Sequence, residues 1–301
     1  MEEKKFELTD ETREGYDCTL YRIKALKYFS DVHKGDLGGF IEKEDNLSQD
    51  GNCWIYDDAK VYDDAEVFDD AKVFDHAEVN ENAKVYDSAN IFDNAHICGN
   101  AQIYGNAIVY NNATVCEKAF ACDNAYIFGN SMVCEDAIIA EFAQVYGNAG
   151  IGGYAKVYGH AEIFDNAQVS DDAKVYGHAQ IYGNAIVYNN ATVCGDVYVN
   201  DSVKVYGHAK VSDNGDLDGG LNISGDSEVR KTSDYMAFKL NLDSNEWLTW
   251  TKSNNIWQSE SFYGTGDELI KRAYNDSKES GKKYEALINM VKQINDGRKE
   301  I

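Results

Sequence analysis

Six histidines are the residues of this sequence best suited to move protons near neutral pH. They are His33, His76, His96, His160, His178 and His208. A histidine acts as a general base only when it lies beside the hydroxyl or amine that it deprotonates. His160, His178 and His208 all occur in the phrase Tyr-Gly-His-Ala, where other units of the chain read Tyr-Gly-Asn-Ala. The interchange with Asn indicates side chains that fill corners, so we predict no catalytic residue.

Seven cysteines are a second possible source of chemistry. Cys98, Cys116 and Cys134 recur at every third hexad, so coils of that length stacked about 4.8 Å apart would bring them within disulfide reach. Disulfides are rare in a reducing cytosol, and we favour small outward side chains that fill space. Because no Cys-x-x-Cys pair occurs, we predict no zinc site, no other metal site and no cofactor.

Aspartates recur in pairs at the start of the repeat region. The acidic corner surface consists of Asp57, Asp58, Asp63, Asp64, Asp69, Asp70 and Asp75. Carboxylate oxygens are the ligands that Ca²⁺ prefers, so calcium at these positions is an open alternative. The Gly-Gly-x-Gly-x-Asp signature of calcium-binding β-rolls is absent, however. The simpler interpretation is that Asp suits a tight corner and that its charge keeps the chain dissolved.

These residues are positioned by a repeat with an aliphatic residue at every sixth position from Ile55 to Leu217. Typical units are VYDDAK at 61–66, IYGNAI at 103–108 and VYGHAE at 157–162. Side chains alternate on an extended chain, so the aliphatic residue and Ala point inward while the aromatic residue points outward. The polar pair that follows tolerates the left-handed backbone of a corner. Each hexad is therefore one strand and one corner, and hexads must stack to bury their apolar side.

The outward position after the aliphatic residue reveals the length of one coil. Steps of three hexads give an unbroken aromatic column: Tyr56, Phe74, Phe92, Tyr110, Phe128, Tyr146, Phe164 and Tyr182. A two-sided or four-sided coil would mix this column with others. The sequence therefore predicts a three-sided coil in which three hexads complete one turn.

An aliphatic residue followed four positions later by a small one, as in Val61/Ala65 or Ile103/Ala107, resembles the hexapeptide repeat of left-handed parallel β-helices. The resemblance implies a mainly β fold, and the left hand comes from it alone because parallel crossovers are otherwise right-handed. Residues 38–59 are similar to the lead-in of bacterial and prophage polymer-forming-like hexapeptide-repeat proteins of unknown function. The fold is implied more firmly than any activity.

The same resemblance raises an enzymatic alternative. Hexapeptide acyltransferases use a histidine as general base and bind an acyl-thioester carrier between subunits, in pockets that loops leaving the coils commonly build. This chain has no insertion between residues 55 and 217. γ-Class carbonic anhydrases share the helix but need three metal histidines that converge across subunits, and we find no matching set. We predict a protein that is not an enzyme, with an acyltransferase as the alternative.

Three segments are expected. Residues 1–46 form an N-terminal cap, because a solenoid end exposes strand edges that need a lid, and residues 47–225 form the hexapeptide-repeat β-helix. Residues 226–301 form a small α+β domain with three strands, at 234–241, 246–253 and 255–264, and two helices. Thr265 or Asp267 is expected to cap the first helix. The apolar stripe of the second helix is Tyr284, Leu287, Ile288, Val291 and Ile294, and the predicted core is Trp247, Trp250 and Trp257.

Charge and targeting signals restrict the partners. The formal net charge is −24, and residues 55–225 contain 26 acidic and 8 basic groups. A direct nucleic-acid binder would carry a basic surface, so we predict no such role. The start of the chain lacks the apolar core of a signal peptide and no run of about 18 apolar residues occurs, so no membrane partner is expected. The expected location is the cytoplasm, which is the bacterial host cytoplasm if a phage encodes the chain.

Two functions remain in competition. The aromatic column, together with Ile108 and Tyr126, predicts a flat apolar strip that binds a second copy of the chain as a dimer or trimer. The alternatives are that the strip only stacks on itself in water or that the C-terminal domain covers it.

The second function uses the acidic corners. A rod on the order of 45 Å long with a net charge of −18 would mimic DNA and inhibit a basic, nucleic-acid-binding host defence enzyme.

Overall fold

The computed structural model describes residues 4–239 and 247–297. The hexads form short parallel strands that wind into a β-solenoid with three sheets. An antiparallel N-terminal segment precedes the solenoid, and a small antiparallel sheet with two helices follows it. The predicted mainly β solenoid is confirmed, whereas its left hand stays a prediction.

The three sheets define three faces of the solenoid. Face 1 contains Trp54–Ile55, Lys72–Val73, Asn90–Ile91, Ile108–Val109, Tyr126–Ile127, Gln144–Val145, Glu162–Ile163, Gln180–Ile181 and Tyr198–Val199. Face 2 contains Lys60–Val61, Glu78–Val79, His96–Ile97, Thr114–Val115, Met132–Val133, Gly150–Ile151, Gln168–Val169, Ile186–Val187, Lys204–Val205 and Asn222–Ile223. Face 3 contains Glu66–Val67, Lys84–Val85, Gln102–Ile103, Phe120–Ala121, Ile138–Ile139, Lys156–Val157, Lys174–Gly177, Thr192–Gly195, Lys210–Asn214 and Glu228–Lys231.

Strands on each face pair in parallel with the strand three hexads further along, as Asn90 does with Ile108. The first and fifth residues of the hexads fill the interior, and Val109 and Ala113 are both completely buried. Their outward neighbours are only partly covered, as the alternation of an extended chain requires. Each buried Val or Ile contributes about 1.5 to 3 kcal/mol. The solenoid is therefore stabilised by many similar increments along its length.

The corners lie at the third residue of each hexad. From position 57 to position 225, every sixth residue has a φ between 51° and 87°. Gly, Asn and Asp occupy most of these positions, as their tolerance of this conformation predicts. Glu81 and Glu117 adopt the same conformation although it is less favourable for a longer side chain. The left-handed corners expected from the sequence are thus confirmed.

The N-terminal segment covers the first coil. Its strands, Phe6–Glu14, Thr19–Ala25 and Leu37–Ile41, continue the sheet of face 2 by antiparallel pairing, and the last pairs in parallel with the solenoid strand Lys60–Val61. Phe6 and Phe29 pack edge-on against the ring of Trp54, which is buried. Trp54 is therefore part of the lid rather than of an exposed strip.

A lysine is buried in this lid. The ammonium of Lys5 donates hydrogen bonds to the backbone oxygens of Asp50 and Cys53, each 3.1 Å away, and its Nζ lies 3.1 Å from Cys53 Sγ. Burial lowers the pKa of Lys5 and raises the pKa of the Cys53 thiol. Three partners for three N–H groups explain how a lysine is accommodated in this position.

The C-terminal domain contains four strands rather than three. They are Tyr235–Phe238, Leu248–Thr251, Ile256–Gln258 and Tyr263–Gly264. A turn in which the N–H of Ser259 donates to the oxygen of Phe262 divides the third predicted strand in two. The predicted strand positions 240, 241 and 246 lie outside the described residues.

Two helices complete this domain: α1, Gly266–Asp276, and α2, Lys278–Gly297. Thr265 caps α1 through its hydroxyl oxygen, which accepts the N–H of Glu268. Trp250 and Trp257 are buried in the domain with Ile288 of α2, whereas Ile294 of the predicted stripe is exposed.

The C-terminal domain packs on the last coil of the solenoid. Trp247 lies against Gly219 and Gly220, so it contributes to this contact and not to the domain core. Buried hydrogen bonds join the two parts, including one from the N–H of Asn222 to Thr249 Oγ1 at 3.3 Å. The solenoid itself extends through Glu228–Lys231, a few residues past the expected boundary at 225. Among the described residues, no helix has the length and apolarity needed to cross a membrane.

Candidate interaction surfaces

The aromatic column of face 1 contains two stacks of rings. From Phe92 through Tyr182, neighbouring ring centroids are 4.8 to 5.0 Å apart and their planes differ by at most 16°. Tyr56 and Phe74 stack in the same way at 4.5 Å. Each ring is half-buried because its neighbours cover both of its faces. The stack therefore holds its side chains rigid before any partner binds.

Exposed aromatic side chains lie beside this column. Tyr126 is 39% exposed and Tyr198 is 45% exposed, and both point outward from face 1. Ile108, one rung from Tyr126, is half-buried. The charged residues on the same strands are Lys72 and Glu162. Face 1 is thus largely apolar from about Ile108 to Tyr198.

The N-terminal end of the column is tied to the lid. Tyr56 donates its hydroxyl to Asp31 at 2.9 Å, and Lys72 pairs with the same carboxylate at 2.7 Å. The Lys72 ammonium holds the pKa of Asp31 well below its usual range. Burial, followed by the Asp31 carboxylate, raises the pKa of Tyr56. These contacts partly cover the first rung, so the free part of face 1 begins beyond it.

A second aromatic stack lies at the corner that leads into face 1, and its first member, Phe142, is not among the interface residues that the sequence predicts. Phe142, His160 and His178 stack with centroids 4.9 Å apart. Phe142 is 51% exposed and comes two residues before the face 1 strand Gln144–Val145. Steps of three hexads from position 142 would have found this column. The interpretation of His160 and His178 as corner residues agrees with their position.

At three of the first four corners the first aspartate is built into the fold. One carboxylate oxygen of each of Asp63, Asp69 and Asp75 lies 3.2 to 3.4 Å from a backbone nitrogen of the next coil, and accepts its hydrogen bond. The same contact recurs along the rod, as from Asn111 to Asp93 at 3.0 Å. These carboxylates join neighbouring coils, so their spacing follows the solenoid and not the phosphates of a duplex.

The second aspartate of each corner contacts the lid in the first coils. Asp58 pairs with Arg13 at 2.6 Å, Asp64 pairs with Lys43 at 2.5 Å, and Asp70 accepts a hydrogen bond from Asn52. Asp57 is exposed. The negative charge of the acidic corner surface is therefore partly neutralised in the first coils, where the sequence places the most aspartates.

The histidine in the most structured surroundings is His96 on face 2. Its Nε2 lies 3.1 Å from Nδ2 of Asn80, which also donates to the Tyr62 hydroxyl. Glu78 lies between Tyr62 and Lys60 and pairs with the Lys60 ammonium at 2.7 Å. The turn of the N-terminal hairpin closes one side of this polar cluster and leaves a cleft of about 480 Å³. Sequence alone could not reveal the cleft because it depends on how the hairpin folds back.

The cysteines described in the structure are free thiols. Burial raises the pKa of Cys116 and the pKa of Cys134 to about 11, so both stay protonated near neutral pH. Within the described ranges, no group of three or more His, Cys, Asp and Glu side chains has the arrangement of a metal site. The calcium alternative therefore has no preformed cluster at the described corners.

Taken together, the stacked hexads and their three sheets define a hexapeptide-repeat β-helix protein. A family model described as the YdcK Beta solenoid repeat matches residues 101–117 and 179–195. A protein named "Uncharacterized acetyltransferase YdcK" from Escherichia coli (strain K12) is 48% identical over 42 residues. That match covers 14% of this chain and 13% of the relative. The matches to the family model lie within the repeat, and the chain spans only a small part of the relative's length.

Proposed function

We propose that this protein is a β-solenoid scaffold that associates with a second copy of itself through face 1. The observation that carries the proposal is the rigid ring column from Phe92 to Tyr182, flanked by the exposed side chains of Tyr126 and Phe142. Aromatic residues are enriched in protein interfaces. Stacking has already restricted these rings, so binding costs less side-chain entropy than it does for free rotamers.

The dimensions of face 1 set the expected affinity. Beyond the first rung, eight strands about 4.8 Å apart give a length of about 35 Å, and a width of about 15 Å follows from four to five extended residues. The area is roughly 500 Å² per partner, or about 1,000 Å² in total, which is the size of a weak interface. A flat face that meets its own copy about a two-fold axis closes as a dimer. We therefore expect a dimer that dissociates on dilution, and a trimer is the other closed assembly.

Light scattering coupled to size-exclusion chromatography tests the proposal over a range of protein concentrations. Tyr126→Glu together with Phe142→Glu places two charges on the strip without removing a ring of the half-buried column, and should give a monomer. The matched control is Tyr154→Glu, since Tyr154 is a corner aromatic that is 61% exposed but is distant from face 1. A wild-type chain that stays monomeric at every concentration, or a double variant that associates like wild type, refutes self-association.

A second candidate function is acyl transfer. Two observations favour it: the relative's name includes acetyltransferase, and His96 lies in a cleft with Glu78 and Tyr62. In this role His96 would serve as general base for an acceptor hydroxyl or amine. Calorimetric titration with acetyl-CoA tests this candidate. Micromolar binding by wild type supports it, provided that His96→Gln binds acetyl-CoA equally well but no longer transfers the acetyl group. Absence of acetyl-CoA binding excludes this candidate while leaving the scaffold proposal unchanged.

A further inference from the structure

Three thiols line up on face 2 on consecutive rungs. The N–H groups of Cys98, Cys116 and Cys134 bond to the next coil in the same way, at 2.9 to 3.0 Å. The strands that precede them are in register, with Thr114 opposite Met132 and His96 opposite Thr114. The three side chains therefore point outward from equivalent positions. All three are only partly covered, so a small ion in solution can reach them.

The spacing of these rungs is known from other columns of the same solenoid. Stacked rings on neighbouring coils have centroids 4.8 to 5.0 Å apart on every face where they occur beyond the first rung. A disulfide needs a Cβ separation of about 3.5 to 4.5 Å, so bridging two rungs would draw the coils together. Two metal–thiolate bonds of the length found with zinc, about 2.3 Å each, separate their sulfurs by about 4.6 Å when they lie in a straight line, and shorter bonds need only a small inward turn of the two side chains. The rung spacing suits an ion held between two thiolates better than it suits a disulfide.

Soft sulfur donors are concentrated around Cys116 and Cys134. Met132 lies two residues before Cys134 on the same outward face, and its side chain is 51% exposed. On the next rung the residue above Cys134 is Gly152, which has no side chain of its own, and the Glu135 carboxylate lies beside it: a Cβ added there would be 3.1 Å from Glu135 Oε2 and 3.6 Å from Cys134 Sγ. Glu135 and Glu117 at the adjacent corner supply negative charge. Exposure of this degree is unusual for an apolar side chain such as that of Met132. Beside stacked cysteines, however, the Met132 thioether sulfur is a donor that a thiophilic ion prefers.

We propose that Cys116 and Cys134 form a two-coordinate site for Cu(I), with the Met132 thioether as a neighbouring third donor. Thiolate and thioether ligands select Cu(I) over harder ions. Each thiol releases its proton as it binds, and no electron is transferred because the ion enters already reduced. The site needs two sulfurs, so it differs from the clusters of three or more ligands that are absent from the described parts of the chain.

The pair Cys98 and Cys116 is less suitable, although its rung spacing is the same. Next to Cys98 on its strand lies His96, whose Nε2 contacts Asn80. Asn80 occupies the rung below Cys98 and is buried. This side of the column is therefore closed by a buried amide, whereas beyond Cys134 only the Glu135 carboxylate lies at Gly152. Cys98 consequently provides a control within the same column.

The test is a titration of the full-length protein with Cu(I) under anaerobic conditions, in competition with a chromophoric Cu(I) chelator. Wild type should bind one ion, with an absorption band from thiolate to copper in the near ultraviolet. Cys116→Ser and Cys134→Ser should each weaken binding by at least about 100-fold, while Cys98→Ser and Cys194→Ser should change it by less than about threefold. Serine is nearly isosteric, and circular dichroism verifies that each variant retains its strands.

The outcomes separate cleanly. The proposed site is refuted if wild type does not bind Cu(I), or if Cys116→Ser binds Cu(I) as tightly as wild type does. Loss of binding in Cys194→Ser overturns it as well, because Cys194 lies in another column, near Tyr176 on face 3. Equal losses in Cys98→Ser and Cys134→Ser would refute the placement between Cys116 and Cys134. Light scattering of the same samples is independent of these results and reports only on face 1.

Discussion

The hydrogen bonds between corners of neighbouring coils make a prediction that Asp93 can test. Its carboxylate accepts the backbone N–H of Asn111 at 3.0 Å and the side-chain amide of Asn111 at 2.8 Å. Asp93 itself has a φ of 57°, in the left-handed region. Replacing Asp93 therefore perturbs two separate quantities, the hydrogen bonds and the cost of the backbone conformation.

Three substitutions separate these quantities. Two hydrogen bonds to a charged acceptor at a partly exposed corner should contribute about 1 to 2 kcal/mol together, and a left-handed residue with an ordinary side chain costs about 1 kcal/mol. Asp93→Ala loses the bonds and adds the conformational cost, so it should destabilise by about 2 to 3 kcal/mol. Asp93→Gly loses the bonds but relieves the conformation, giving about 0 to 1 kcal/mol. Asp93→Asn keeps a hydrogen-bond acceptor and tolerates the left-handed conformation, so it should lower the free energy of unfolding by only about 0.5 kcal/mol.

The assay is urea unfolding followed by circular dichroism, with hydrogen exchange of the neighbouring coils as a local readout. Solenoids can unfold in parts, and exchange at the Asn111 amide reports on the coil that loses its partner. Asp93→Ala should be the most destabilised variant, and Asp93→Asn and Asp93→Gly should both lie within about 1 kcal/mol of wild type. If Asp93→Gly is more stable than wild type by about 1 kcal/mol, the hydrogen bonds contribute nothing. If Asp93→Ala equals Asp93→Gly, the left-handed backbone is not limiting.

Three further predictions follow from other contacts. Lys72 lowers the pKa of Asp31, so the ion pair stabilises the fold fully above the ordinary carboxyl pKa of about 4. This stabilisation is lost progressively as the pH falls from there towards the lowered pKa of Asp31 in the folded state. Asp31→Asn should remove this acid-dependent part of thermal stability, and an unchanged pH profile would argue against it. Ile127→Ala should cost about 2 to 4 kcal/mol in urea unfolding, since Ile127 is completely buried; a loss below 1 kcal/mol would indicate that the coil collapses around the cavity. If the acidic corners mimic DNA, a basic host protein captured on the rod should be released steeply by added salt, and release that does not depend on salt contradicts the mimic.

The sequence predicted the fold well because the local and the long-range signals coincide. The alternation that makes Val109 and Ala113 face inward also sets their spacing along the chain, so one pattern specifies both the strand and the coil. The corners follow for the same reason, since their residue types suit a positive φ. The ends of the rod were less predictable: Trp54 follows the period and Trp247 lies outside it, but the surroundings of both depend on tertiary packing at the ends of the solenoid.

The surfaces were predicted less completely, for a physical reason. The ring column was visible because one step of three hexads connects its members. Its exposed border was not, because exposure depends on the size of neighbouring side chains, and Phe142 protrudes where Asn124 occupies the rung before it. The carboxylates of Asp63 and Asp69 were interpreted as free surface charge, whereas they accept backbone N–H groups of the next coil. A short polar side chain at a corner reaches the adjacent rung, and no one-dimensional pattern distinguishes that from solvation.

The backbone of this solenoid is nearly the same in every hexad, so differences in function must come from the side chains that a column repeats. One rung spacing of 4.8 to 4.9 Å serves ring stacking in the column of Tyr110 and Phe128. The same spacing lets a corner carboxylate such as that of Asp93 reach the next coil, and it separates the rungs of Cys116 and Cys134. A column can therefore be exchanged without altering the fold. A cysteine pair in place of Tyr158 and Tyr176, with methionine in place of Lys174 as Met132 precedes Cys134, should move Cu(I) binding to face 3, because the rung spacing there is the same.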